Sequence, residues 1–251
     1  MNVSVYQAAA ALNASNRWQE VIGENLASAS IVGYKKQDVS FAAIQAGLLA
    51  QQNAPAGSLQ RLTLSKAQAT TNFQNGELTF SGEKLDVALE SKAFFELQLP
   101  NGGTTYTRNG SFQMNSQGTL VNKAGYPVMG MKGPIQLDPR NGDPIVISRE
   151  GEVRQGNDIR GKIHLVEFDR PELLTLTGGA YFLADNPALQ QTDATSPNLR
   201  QGFLESSNAS SVHEMANMIT AMRMYEANQK VIQTQDDRMS RAISELGNPT
   251  S

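Results

Sequence analysis

Apolar residues recur along this chain in two rhythms, a period of seven at both ends and a period of two between them. Near the start, Val5, Leu12, Gln19 and Leu26 fall seven apart, with Ala8, Ser15, Ile22 and Ala29 as a companion row. Two such rows make one face of a helix, here narrow and built largely of small residues. No Pro, and no Gly except Gly23, interrupts residues 2–29. The far end is more regular: Met218, Tyr225, Ile232, Met239 and Leu246 keep the spacing beside the row Met215, Met222, Gln229, Asp236 and Ile243. Ser211 followed by Glu214 reads as a capping box at the start of this second helix. A helix over 211–246 extends on the order of 50 Å at about 1.5 Å per residue, too long to lie on a small globule without a partner.

Between the helices apolar positions alternate. Leu85, Val87 and Leu89 are separated by Asp86 and Ala88, and Phe95, Leu97 and Leu99 by Glu96 and Gln98. Asn101-Gly102-Gly103, Asn109-Gly110, Asn141-Gly142 and Glu150-Gly151 supply turn chemistry between short strands, with the first two expected to close hairpins. Gly33 is expected to provide a positive φ where the first helix ends. The pattern predicts an α+β chain: an N-terminal helix and turn over 1–41, an extended linker over 42–75, a central antiparallel all-β domain over 76–205, and a C-terminal helix over 206–251. The two helices are expected to form a coiled-coil-like axial domain. Each has an apolar stripe with no obvious partner in the β domain, a layout that favours a polymer subunit over a catalyst.

Composition narrows the function. The 251 residues carry a net charge of −3, so nucleic acid is not an expected partner. There is no cysteine, which excludes disulfides, thiolate metal sites and a cysteine nucleophile. No apolar stretch is long enough to span a bilayer, and Met1 to Leu12 lacks the pattern of a cleaved signal peptide. His164, placed within a strand, and His213, in the first helical turn, have no His at i+4 and no clustered carboxylate. Asp236 and Asp237 are adjacent on a helix and point about 100° apart. No nucleophile elbow, P-loop or dinucleotide fingerprint occurs. The expectation is therefore a non-enzyme with no catalytic, cofactor or metal residues and no small-molecule substrate. A hydrolase built on carboxylates gathered by folding is the alternative from another class. A secreted carbohydrate-binding β domain is a third reading, and it leaves the heptad rows unexplained.

Four segments carry a family resemblance across nearly the whole chain: Asn25-Leu26-Ala27-Ser28-Ala29-Ser30-Ile31-Val32-Gly33-Tyr34-Lys35; Leu85-Asp86-Val87-Ala88-Leu89 with Ala93-Phe94-Phe95; Tyr106-Thr107-Arg108-Asn109-Gly110-Ser111-Phe112; and Leu204-Glu205-Ser206-Ser207-Asn208, leading to Arg223-Met224-Tyr225-Glu226-Ala227-Asn228. In order and in register, they resemble the flagellar rod proteins of the FlgF/FlgG family. Ile31-Val32 and the small residues from Ala209 to Ser211 depart from the usual pattern. The resemblance implies a structural subunit of the basal-body rod that spans the periplasm. It also implies delivery by the flagellar type III export apparatus without a cleaved signal peptide, and no direct insertion in the membrane. Its expected partners are copies of itself and other rod proteins. The short stretch from Phe41 to Leu85 favours the proximal-rod type, with a distal-rod or hook-type axial protein as the alternative. The expected assembly interface comprises Val5, Leu12, Ile22, Leu26, Met215, Met218, Met222, Tyr225, Ile232, Met239, Ile243 and Leu246.

Overall fold

A computed structural model describes residues 3–50 and 59–247, and its chain divides into two compact units. The first gathers Met1–Leu26, Gln37–Thr70 and Ser211–Ser251. It contains helix α1 (Val3–Ser28), strands β1 (Gln37–Ala50) and β2 (Leu59–Thr71), and helix α2 (Ser211–Gly247). The expected linker over 42–75 is thus largely sheet, while its most linker-like part, Gln51 to Ser58, lies outside the described residues. Ser40 Oγ donates to the Gln68 carbonyl and Thr70 Oγ1 to the Asp38 carbonyl, so β1 and β2 run antiparallel. The side-chain amide of Asn25 fixes the start of β1. Its Nδ2 donates to the Gln37 carbonyl and its Oδ1 accepts the Gln37 N–H, each at 2.9 Å. Trp18 meets Phe41 edge to face at 5.6 Å.

Helix α1 buries Ala8, Ser15 and Ile22, three members of one heptad row, and Ala14, Val21 and Asn25 beside them. Small residues along this face let a neighbouring helix approach closely, and two side chains bond across to α2. Gln19 Nε2 donates to the Ala221 carbonyl, and Asn228 Nδ2 to Ser15 Oγ, both at 3.4 Å.

The second unit holds Ala27–Lys36 and Thr71–Ser210. In chain order its strands are β3 (Leu78–Phe80), β4 (Val87–Leu89), β5 (Phe94–Gln98), β6 (Thr104–Thr107), β7 (Phe112–Met114), β8 (Leu120–Asn122), β9 (Met129–Gly130) and β10 (Gly133–Pro134). There follow β11 (Ile145–Ile147), β12 (Glu152–Gln155), β13 (Asp158–Lys162), β14 (Leu165–Phe168), β15 (Thr175–Leu176), β16 (Tyr181–Leu183), β17 (Gln191–Asp193), β18 (Leu199–Gln201) and β19 (Phe203–Glu205). Six strands form one sheet in the order β15-β16-β6-β5-β14-β17, and β11-β12-β13 form a second. Pairs β7-β8, β9-β10, β18-β4 and β19-β3 complete the unit.

The central strand β5 explains why simple alternation describes this unit poorly. Phe95 and Leu97 enter the larger core with Val87, Leu89, Phe112, Leu120 and Leu165. Phe94, on the opposite face, joins Tyr106, Val166, Leu174 and Phe182 in a second core, so both faces are covered. The two departures from the family pattern also pack together: Ile31 lies against a small cluster of Tyr34, Ala180 and Ala209.

The two expected hairpins have different outcomes. Asn101-Gly102-Gly103 closes β5–β6, with Gly102 at φ 82° and Asn101 Oδ1 accepting the Gly103 N–H. Asn109-Gly110 closes none, because β6 pairs with β5 and β16 while β7 pairs with β8. It is a corner where the chain leaves the large sheet. Gly110 is pressed so closely on β4 that a Cβ would lie 1.7 Å from the Val87 carbonyl oxygen.

Candidate assembly face and buried charged knot

Helix α2 shows which apolar rows are covered. The described side chains that are at least half-buried along it include Glu214, Met218, Ala221, Tyr225, Asn228, Ile232 and Gln235, in steps of four and three. Met218, Tyr225 and Ile232 therefore lie on a seam covered within the single chain, whereas their spacing predicts a row that faces neighbouring subunits and is open to water in the free chain. The companion row is not covered. Met215, Met222 and Ile243 are 54, 50 and 67% exposed, and the covered companions lie one residue earlier, at Glu214, Ala221, Asn228 and Gln235. Met239, although in the first row, is 47% exposed, and every described side chain from Asp236 to Ser244 faces out. The small side chain of Ala221 leaves its carbonyl open to the Gln19 amide, and Asn228 donates to Ser15 on the same flank. On α1, Ile22 is buried and Leu12 and Leu26 are half-buried. The side chains of Val5 and Leu246 lie outside the described ones.

Together with Ile219 at 55% and Val212 at 80% exposed, Met215 and Met222 form an open apolar stripe on the first three turns of α2. Their spacing of three and four residues places them on one face.

The β-rich unit contains a site of opposite character. Lys35, Arg108 and Glu205 are charged and all essentially inaccessible, at 0, 2 and 1% exposure. Glu205 Oε1 accepts from Lys35 Nζ at 2.6 Å and from the Gly76 N–H at 2.8 Å, and its Oε2 accepts from Arg108 Nε at 2.8 Å. The remaining Arg108 donors reach the carbonyls of Ser91, Ala93 and Leu89 and the side chain of Asn75, so all five N–H groups are engaged. Lys35 Nζ also donates to the Gln74 carbonyl. Burial pulls the Lys35 ammonium below its usual pKa, with the Glu205 carboxylate opposing and Arg108 adding to that fall.

Gly33 completes this knot. Its φ is 69°, as expected, but it stands five residues beyond the end of α1, and its N–H donates to the Glu205 carbonyl. A Cβ there would lie 2.5 Å from the Arg108 carbonyl carbon. Beside it, Asn208 Oδ1 accepts the Lys36 N–H, and Asn208 Nδ2 donates to the carbonyls of Asn72 and Gln74. Three of the four recognised sequence segments, those containing Gly33-Tyr34-Lys35, Arg108-Asn109-Gly110 and Glu205 to Asn208, thus converge on one buried, hydrogen-bonded cluster. Gly33 and Asn109-Gly110 are expected from sequence only as turn residues, and nothing in the sequence pattern pairs Lys35, Arg108 and Glu205 with one another. The available signal was one charged residue in each otherwise turn-like segment.

Folding also corrects the reading of His164. It lies between β13 and β14 and not within a strand, and two carboxylates meet it. Nδ1 is 2.6 Å from Glu96 Oε2 and Nε2 is 3.1 Å from Asp193 Oδ1. Burial alone lowers the imidazole pKa, but the bonds and charges of Asp193 and Glu96 outweigh it and hold the group above 6.5. Both ring nitrogens are thus engaged by carboxylates of the chain itself. Among the described residues no group of three His, Asp or Glu is placed to hold a metal ion, and no helix is long and apolar enough to cross a membrane.

Comparisons with known proteins agree with this geometry. Residues 88–155 match the family described as the flagellar hook protein FlgE/F/G D1 domain, and residues 200–245 match the flagellar basal body rod FlgEFG protein C-terminal family. A flagellar basal-body rod protein FlgF of Mesorhizobium japonicum is 33% identical, over 98% of this chain and 99% of its own. FlgF of Caulobacter vibrioides is 32% identical over 91% of each. FlgG of Buchnera aphidicola subsp. Baizongia pistaciae is 30% identical over 92% of this chain and 94% of its own. The two matched segments contain Arg108 and Glu205, two of the three charges of the buried knot, and the full-length similarity takes in the third: the chain belongs to the FlgF/FlgG family of flagellar basal-body rod proteins.

Proposed function

We propose that this structural rod subunit polymerises through its terminal helices, which form a coiled-coil-like axial domain and pack against copies of the chain and against other rod proteins. The open stripe Val212, Met215, Ile219 and Met222 carries this reading. Its neighbouring seam is already occupied by α1, so the stripe is the apolar face left for a further helix. The β-rich unit serves as a self-contained body and performs no chemistry. The engaged ring nitrogens of His164 support that part of the reading against a hydrolase. The subunit reaches its place through the flagellar export apparatus and stands in the part of the rod that crosses the periplasm. The short 41–85 stretch favours the proximal rod, and identity to both FlgF and FlgG relatives keeps the distal rod as the second reading.

Met222→Asp tests the assembly face. The variant is expected to be exported and folded, absent from purified basal bodies, and non-motile. Normal incorporation would refute the role given to the stripe.

A further inference from the structure

Glu214, in the first turn of α2, is only 3% exposed, yet among the described residues it accepts no hydrogen bond and forms no ion pair. Ser211 is itself the first residue of the helix, so the capping box expected of this pair does not form. Glu214 lines a cavity of about 300 Å³ between α1, the start of β1 and α2, together with Trp18, Asn25, Gln37, Asp38 and Asn217. We propose that this cavity is a socket for an arginine side chain of a second copy of the chain, from the far end of that copy's α2. This contact presupposes the assembly through terminal helices proposed above and specifies one part of it.

The cavity is suited to a cation. A carboxylate withdrawn from water without a partner is destabilising, and a cation entering beside it relieves that cost. Among the described residues no Lys or Arg lines the space. Asp38 is exposed and already engaged within the chain, so the charge on offer is that of Glu214. Trp18 stands half-buried at the wall. A guanidinium can both stack on an aromatic ring and bond a carboxylate with its planar fork, whereas an ammonium has no such plane.

The same helix supplies the cations. Arg238 and Arg241 are exposed and form no ion pair among the described residues, on a stretch from Asp236 to Ser244 whose described side chains all face out. Glu214 and Arg238 lie about 36 Å apart along one helix at about 1.5 Å per residue, so a single copy cannot bring them together. Joining the start of one α2 to the end of another is a head-to-tail contact. It leaves a free socket at one end and free arginines at the other, and so propagates along a filament.

The test uses the full chain in cells that lack the wild type. Glu214→Gln keeps the shape and removes the charge. The free variant is expected to melt at or above the wild-type temperature, while its content in purified basal bodies falls at least about tenfold. Arg238→Gln/Arg241→Gln, which alters only exposed side chains, should fall comparably, and it decides the matter if Glu214→Gln fails to fold. The chain has no cysteine, so an engineered pair reads the contact directly. Asn217→Cys combined with Arg238→Cys or with Arg241→Cys should give a ladder of disulfide-linked copies when assembled rods are oxidised, and the single variants should give none. Normal incorporation of either charge variant would overturn the socket. Exclusion of Met222→Asp in the same cells would then leave assembly through the helices intact, and its incorporation would overturn that reading too. Loss of incorporation with no ladder from either pair would overturn the second copy as the occupant.

Discussion

The charged knot of the β-rich unit and the apolar stripe of α2 violate the usual distribution of residue types in opposite directions. In the knot three charges are buried, yet every one of them is bonded: Glu205 accepts from Lys35 and Arg108, and Arg108 uses all five donors. The stripe on α2 consists of four exposed large apolar side chains, and none is covered by the chain itself to the extent that Met218 and Ala221 are. A buried charge is tolerated only when its bonds are complete, so the knot is finished within one molecule. An exposed apolar stripe keeps its hydrophobic free energy for a later partner. The contrast separates what this protein needs in order to fold from what it holds for assembly.

The largest effect is expected from breaking the knot. Glu205→Gln leaves Lys35 and Arg108 as like charges without their counter-ion, and removing one partner of a buried pair costs about 3–5 kcal/mol. Thermal melting followed by near-ultraviolet circular dichroism should fall steeply, and a melting point equal to wild type would show that the carboxylate is dispensable. Gly33→Ala comes next. Its φ of 69° already costs a side chain about 1–2 kcal/mol, and the added Cβ would meet the Arg108 backbone at 2.5 Å. The same melt should report a loss at least that large, with assembly lost in proportion.

Within the helical unit, Ala221→Leu forces a larger side chain into the covered seam at a cost of about 1–3 kcal/mol. Reduced helical signal in the free chain is the expected result, whereas tolerance would mean the seam is loosely packed. His164 gives a smaller, pH-dependent effect. Its pKa is held above 6.5 in the folded protein, so its stabilisation is fully present below 6.5 and lost as pH rises through the raised value. Between about pH 6 and pH 8 the wild type should lose more stability than His164→Gln, a difference that parallel melts will detect. The smallest effect on folding belongs to Met222→Asp, expected to change monomer stability by less than about 0.5 kcal/mol. Its loss of incorporation would then sharpen the distinction between the stripe and the knot.

The sequence by itself determined the two helices, the β-rich centre and the family, because period seven, period two and short turn motifs are local properties of the chain. It also grouped Met218, Tyr225 and Ile232 on one face of α2, but as a row awaiting neighbouring subunits and not as one covered by the chain's own α1. Only tertiary structure decided which flank of that row faces α1. Residues three before and four before a given position are both its neighbours on a helix, so Met222 and Ala221 compete on equal local terms. Packing chose the smaller side chain, which admits the bond from Gln19. The β1–β2 pairing escaped notice because its residues, including Ala42, Ala43, Ala46 and Gly47, have little intrinsic strand preference and acquire order from distant partners. The same reason hid the corner at Asn109-Gly110, a local turn signal redirected by the close approach of β4. Lys35, Arg108 and Glu205 lie as many as 170 positions apart, and Glu96, His164 and Asp193 are likewise dispersed along the chain. Charge complementarity over such separations leaves no periodic trace, so the fold alone brings these groups within bonding distance.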